Sequence, residues 1–146
     1  MTTALSGLKV IEMLTTRFPN SIVMSDEKTV TINIEDILKI LGHLKNTSDY
    51  DFDYLTDLTA VDYYEYFEIV YRITSLTHNH MAVIKTRCYN RNNPICPSVT
   101  GLWKGADYFE REIFDLFGIT FSGHPNMKRI FLWEGFEGYP LRKDYL

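Results

Sequence analysis

The sequence predicts an α+β domain, with helices packed on a largely antiparallel or mixed sheet and an irregular C-terminal segment. Three observations carry that reading. Apolar residues recur at helical spacing in three stretches. Between those stretches lie runs that alternate with period two. After Gly118 neither period survives, and Gly123, Pro125, Gly135, Gly138 and Pro140 are spread along the chain. The expected organisation is a domain over 1–118 and an extended, partner-binding segment over 119–146.

The first helix is predicted from Gly7 to Phe18. Ser6 is its N-cap, and Val10, Ile11, Leu14 and Phe18 share one face. Pro19 and Asn20 stop it. Ser21 to Met24 and Thr29 to Asn33 read as a hairpin turning through Asp26-Glu27-Lys28. Val30 and Ile32 alternate with Thr29 and Thr31, as in a sheet buried on one side. A second helix is expected from Ile34 to Leu44, capped by Asn33, with Ile34, Ile37, Leu38 and Leu41 as its apolar face. Glu35 and Asp36 near its start, and Lys39, His43 and Lys45 near its end, suit the helix dipole.

Three strands follow, near 54–61, 65–76 and 81–89. The last two form a long hairpin through Thr77-His78-Asn79-His80. Phe67, Ile69, Tyr71 and Ile73 alternate with Tyr66, Glu68, Val70 and Arg72. Both sets are bulky, which predicts cover on the second face by another element or by a partner. Asn90 to Pro97 reads as a loop. A third helical region is expected from Ser98 to Phe117, broken at Gly101 or Gly105. Its shared face is Trp103, Ala106, Phe109, Ile113, Leu116 and Phe117. Asp107 and Asp115 each lie one turn from Arg111, which offers exposed ion pairs, and Gly118 is the C-cap.

Composition narrows the function. The 146 residues are 45% hydrophobic and 14% aromatic, with ten Tyr and nine Phe, enough for a core without metal or disulfide. A net charge of −4 argues against nucleic acid. No apolar run approaches a membrane span of roughly 18 residues. The N-terminus has no secretory-signal pattern, so the expected location is the cytoplasmic side, with membrane contact only through partners. Cys88 and Cys96 form no Cys-x-x-Cys pair and are too few for an iron–sulfur cluster.

Candidate chemistry is sparse. Asp49, Asp51 and Asp53 suggest a calcium loop, but the sixth and twelfth places hold Tyr54 and Ala60 in place of Gly and Glu. His78 and His80 sit in a turn without a third ligand. No phosphate-binding glycine motif and no catalytic triad stands out. Glu110 and Glu112, two apart on a helix, point in different directions, which weakens an acid/base pairing. The C-terminal third is different. Lys128, Arg129, Arg142 and Lys143 interleave with Phe131, Trp133, Phe136, Tyr139 and Tyr145. Arginine beside aromatic rings is the composition of a protein interface, and equally of a tail packed on its own domain.

That segment carries a resemblance. Trp103, Ala106 and the run Glu110-Arg111-Glu112-Ile113-Phe114-Asp115-Leu116-Phe117-Gly118-Ile119 resemble the central motif of the thirty-kilodalton subunit family of respiratory complex I, the proton-translocating NADH:quinone oxidoreductase. The match continues through Phe121, Gly123-His124-Pro125, Arg129-Ile130 and the closing Gly138-Tyr139-Pro140-Leu141-Arg142-Lys143-Asp144-Tyr145. The resemblance implies a peripheral-arm subunit with no redox cofactor of its own, docked to the large, hydrogenase-like subunit that forms the quinone site. Flavin, iron–sulfur clusters and quinone would belong to partner subunits. Many members continue with a further tail over the large subunit, and in a chain stopping at Leu146 that contact is expected to be absent or replaced. A short form is also similar to the matching component of energy-converting membrane-bound hydrogenases and related dehydrogenases.

The expected roles follow. Glu110, Arg111, Glu112 and Asp115 fix the start of the tail through ion pairs. Arg129, Arg142, Lys143 and Asp144, with His124, touch the partner or lock the tail. Two rivals remain: a stand-alone enzyme using Glu110, Asp115 and His124, and a free regulatory binding module. The subunit reading expects a tail whose amides exchange quickly when the chain is alone.

Overall fold

The computed structural model describes residues 2–133 and 135–145, so the Leu146 end of the expected tail lies outside it. The architecture is α+β. Strands β1 (Thr3–Ala4), β2 (Ile22–Ser25), β3 (Thr29–Ile32), β4 (Tyr54–Asp62), β5 (Phe67–Ser75) and β6 (His80–Cys88) form a mixed sheet in the order β2-β3-β6-β5-β4, with β1 alongside β6. Helices α1 (Gly7–Thr15), α2 (Ile37–Asn46) and α3 (Ala106–Phe117) supply the other layer. A short parallel pair, β7 (Ile95–Pro97) and β8 (Thr120–Ser122), closes one end. The sheet is mixed because β3 runs parallel to β6, whereas β2–β3, β4–β5 and β5–β6 are antiparallel.

The Ser6 hydroxyl caps α1, accepting from the Lys9 N–H at 3.2 Å. This helix ends at Thr15, three residues earlier than the spacing predicts. The Arg17 and Phe18 N–H groups both fold back onto the Leu14 carbonyl and close the last turn. In the β2–β3 turn Asp26 Oδ1 accepts from the N–H groups of Lys28 and Thr29. The second helix opens with one 3-10 turn, Ile34–Asp36. Asn33 starts that turn without a side-chain cap bond, its amide donating instead to the Asn20 carbonyl. Within α2 the buried set is Ile37, Ile40, Leu41 and Leu44, at i, i+3, i+4 and i+7, and Leu38 is exposed. Each such burial contributes about 1.5–3 kcal/mol.

One continuous core joins Phe67, Ile69, Tyr71 and Ile73 of β5 to Val10 and Leu14 of α1, the α2 set, and Ile113 and Phe117 of α3. Val70, on the opposite face of β5, is buried but stands outside that cluster. The predicted 90–97 loop contains β7, and the third helix starts at Ala106 instead of Ser98. The intervening residues form turns on the Val99 carbonyl, which accepts from Leu102 and Trp103. The Trp103 indole N–H donates to the Phe52 carbonyl at 3.2 Å. No helix among the described residues is long and apolar enough to cross a membrane.

Candidate subunit interface

Residues 127–133 and 135–145 lie as a strap along α3 and the β4–β5 hairpin. The main anchor is Asp115, whose side chain is fully buried. Its Oδ2 accepts three consecutive backbone N–H groups, from Ile130 at 3.2 Å, Phe131 at 2.7 Å and Leu132 at 3.0 Å. Its Oδ1 takes Arg129 at 3.0 Å. Burial alone would raise the Asp115 carboxyl, but the three N–H groups and Arg129 outweigh it and hold the group below its ordinary value. Arg129 also donates to the Gly138 carbonyl at 2.9 Å and packs over the Tyr139 ring.

The predicted pairing of Arg111 with Asp107 and Asp115 is not formed. Arg111 donates to the carbonyls of Lys128 and Arg129. Asp115 sits on the buried face of α3 and finds closer donors in the strap. Asp107 lies with Oδ1 2.9 Å from His124 Nε2. The Asn126 N–H donates to His124 Nδ1, so the ring hydrogen sits on Nε2 and is directed at the Asp107 main-chain carbonyl at 3.4 Å.

At the far end Arg142 Nε donates to the Phe117 carbonyl at 2.6 Å, and its guanidinium covers Phe67 and Tyr139. The Gly118 C-cap, at φ 77°, is what admits the Tyr139 ring. A Cβ there would stand 2.7 Å from that ring. The Leu141 N–H donates to the Leu116 carbonyl.

A second carboxylate completes the clasp. Asp62, at the end of β4, takes both Nη groups of Arg91 at 2.7 and 3.0 Å, the Lys143 N–H at 2.8 Å and the Tyr64 N–H at 2.7 Å. Arg91 reaches on to Asp144 at 3.1 Å. Burial pushes Asp62 upward, and these donors reverse that and bring it to about 2. Sequence reasoning does not single out Asp62 or Arg91. The available signal is phase: Leu58, Ala60 and Asp62 alternate on the inward side of β4, so a carboxylate stands where an apolar residue belongs.

The remaining expected residues go elsewhere. Glu110 is buried and turned away from the strap. It accepts from the Ser98 hydroxyl at 2.6 Å and the Val99 N–H at 2.8 Å. Burial dominates there and raises its carboxyl. Glu112 is exposed and makes no hydrogen bond or ion pair among the described residues. With Asp115 saturated by the strap and Glu110 by the 98–99 turn, the Glu110, Asp115 and His124 set of the enzyme rival is committed to structural bonds. Beyond the clasp the strap leaves Phe131, Trp133 and Leu141 more than half exposed.

The fold and the clasp define an α+β body carrying a carboxylate-anchored C-terminal strap. The chain belongs to the family of the respiratory-chain NADH dehydrogenase 30 Kd subunit, which its residues 30–146 match. It is 40% identical to the C subunit of the NADH-quinone oxidoreductase of Roseiflexus sp. (strain RS-1), covering 97% of this chain and 84% of that one. It is 43% identical to the mitochondrial NADH dehydrogenase [ubiquinone] iron-sulfur protein 3 of Candida albicans, over 84% of this chain. The chain spans 44% of that relative's length. In fold it is similar to a chain of the membrane-bound sulfane sulfur reductase, an archaeal respiratory membrane complex. The TM-score is 0.77 at 24% identity, over 95% of this chain and 85% of that one.

An iron–sulfur cluster takes four thiolates, and this chain has two cysteines, both buried. Burial pushes the Cys96 thiol up to about 12, and its Sγ lies 3.3 Å from the Tyr71 hydroxyl. These residues do not fit a cluster. No group of three or more His, Cys, Asp or Glu placed to hold a metal ion occurs among the described residues.

Proposed function

We infer that this chain is a structural subunit of the peripheral arm of a membrane-bound NADH:quinone oxidoreductase, docked to the large quinone-site subunit and supporting electron transfer that other subunits conduct. The observation that carries this is the family match over 30–146, which takes in the whole clasped strap. In this reading the chain holds no redox cofactor. Flavin, iron–sulfur clusters and quinone belong to its partners, and two buried cysteines are consistent with that division. It is peripheral, on the cytoplasmic side, reaching the membrane only through the complex.

The strap supports a docking role in physical terms. Contrary to the expectation of a loose tail in the isolated chain, Asp115 and Asp62 hold its backbone, so Phe131 and Trp133 face outward from a fixed frame. Preorganised aromatic residues lose little entropy on binding and dominate interface energies. Arg129, Arg142, Lys143 and Asp144 shape that frame, and their partner contacts are part of the proposal.

Native electrophoresis of the source membranes tests the reading. The chain should migrate with the band that oxidises NADH, and a strain lacking it should lose that band. Migration only as a free monomer would contradict the assignment.

A further inference from the structure

The sheet ends at β4. Among the described residues this strand pairs with β5 on one side and with no strand on the other. Its outward N–H and C=O groups have no backbone partner among the described residues. Natural proteins blunt such edges with lysine, proline or a bulge. Here a bulge lies between Leu55 and Asp57, but Leu58 to Val61 runs in regular register against Tyr71 to Glu68. That stretch, Leu58-Thr59-Ala60-Val61, has no charge and no proline.

Beside it lies a cleft of about 230 Å³ between the strand and α3, with Leu58, Ala60, Ile113, Leu116 and Phe117 on its walls and Leu141 of the strap at its side. Its polar rim is Asp57 and Glu112. Neither carboxylate has a hydrogen bond or an ion pair among the described residues. A free strand edge with a parallel apolar groove against a helix is the geometry that binds an extended peptide by strand addition.

We propose that the open edge of β4 receives an extended segment of a neighbouring subunit as a further strand, with an apolar side chain in the cleft and a lysine or arginine at Glu112 and Asp57. The proposal rests on the reading of the chain as a subunit of an assembly. An extended segment fits because the strand groups without a backbone partner among the described residues run in a line beside an apolar cleft. A basic residue fits because both rim groups are unpaired acids. A second copy fits poorly. Edge-to-edge pairing about a twofold axis would bring Asp57 and Glu112 of both copies to one seam.

Hydrogen exchange tests this on the full chain, alone and in the detergent-solubilised complex. Alternate amides from Leu58 to Val61 should exchange at least roughly a hundredfold more slowly in the complex. Protection of 129–145 without protection of β4 would overturn the proposal and leave the subunit reading intact. A chain that enters no complex would overturn both. Protection of β4 that rises with concentration of the isolated chain would assign the edge to a second copy and overturn the proposal. Glu112→Lys provides the independent check. The isolated variant should melt as the wild type does, while its occupancy in the complex falls at least about fivefold. Unchanged occupancy would remove the basic partner residue from the proposal.

Discussion

The Arg129 guanidinium stands 3.0 Å from Oδ1 of Asp115, fourteen residues earlier in the chain, and fixes the strap to α3. The other oxygen of the same carboxylate gathers three successive N–H groups. Asp115→Ala leaves that guanidinium and those donors without their acceptor. Breaking a buried pair in this way costs about 3–5 kcal/mol. Urea unfolding should show a loss of that size, and a loss below roughly 1 kcal/mol would mean that the strap is held by other contacts.

The Asp62 clasp predicts acid sensitivity. Its folded carboxyl lies near 2, below its ordinary value of 3.8. A depressed acid contributes stability above its unfolded value and loses it as pH falls through the folded one. The window is therefore about pH 4 to 2, and the contribution is on the order of 2 kcal/mol. Melting curves of Asp62→Asn should be lower than wild type at neutral pH and converge with it near pH 2. A constant gap across that range would contradict the clasp.

Glu110 has the opposite sign. Burial raises its carboxyl, and the Ser98 and Val99 donors only partly offset that. Its contribution is present in acid and is lost as pH rises through the folded value. Glu110→Gln keeps an acceptor for the Val99 N–H and cannot ionise. The variant should gain on the wild type as pH rises from mildly acidic towards neutral. A parallel pH profile for the two proteins would show that Glu110 titrates as an exposed residue does.

Arg142 holds the Phe117 carbonyl and covers two rings, whereas Lys28 lies on an exposed turn. Arg142→Ala should lower the yield of assembled complex by about tenfold, equivalent to about 1.4 kcal/mol. Lys28→Ala should leave it unchanged. Equal yields would show that Arg142 does not act in assembly.

Much of the fold is legible in the sequence because the periods are strong. Alternation through Phe67 to Ile73 and the spacing of Val10 and Leu14 are local signals that membership of the core follows, although Glu68 and Val70 on the other face of β5 are buried as well. The α2 face is present in the sequence as Ile37, Ile40, Leu41 and Leu44, but starting the helix at Ile34 puts Leu38 on that face in place of Ile40 and Leu44, and the 3-10 turn at Ile34–Asp36 breaks that phase. The parallel β7–β8 pair is hidden for a different reason. Its strands are three residues each and their partners lie 25 positions apart. In the candidate site, Asp115 and Arg129 stand out through the resemblance, but their pairing does not, since Arg111 offers a nearer partner in sequence. Asp62 is easily passed over, although its inward phase marks it. The destinations of Glu110 and Arg111 depend on where the 98–99 turn and the strap cross α3, which is a tertiary fact.

The proposed place of the chain is in a respiratory assembly, without a redox centre of its own. The most direct measurement is purification of the tagged chain from its own membranes in mild detergent, with stoichiometry by quantitative mass spectrometry. One copy is expected beside a quinone-site large subunit and a flavoprotein that oxidises NADH. Recovery of the chain without any redox subunit would contradict it.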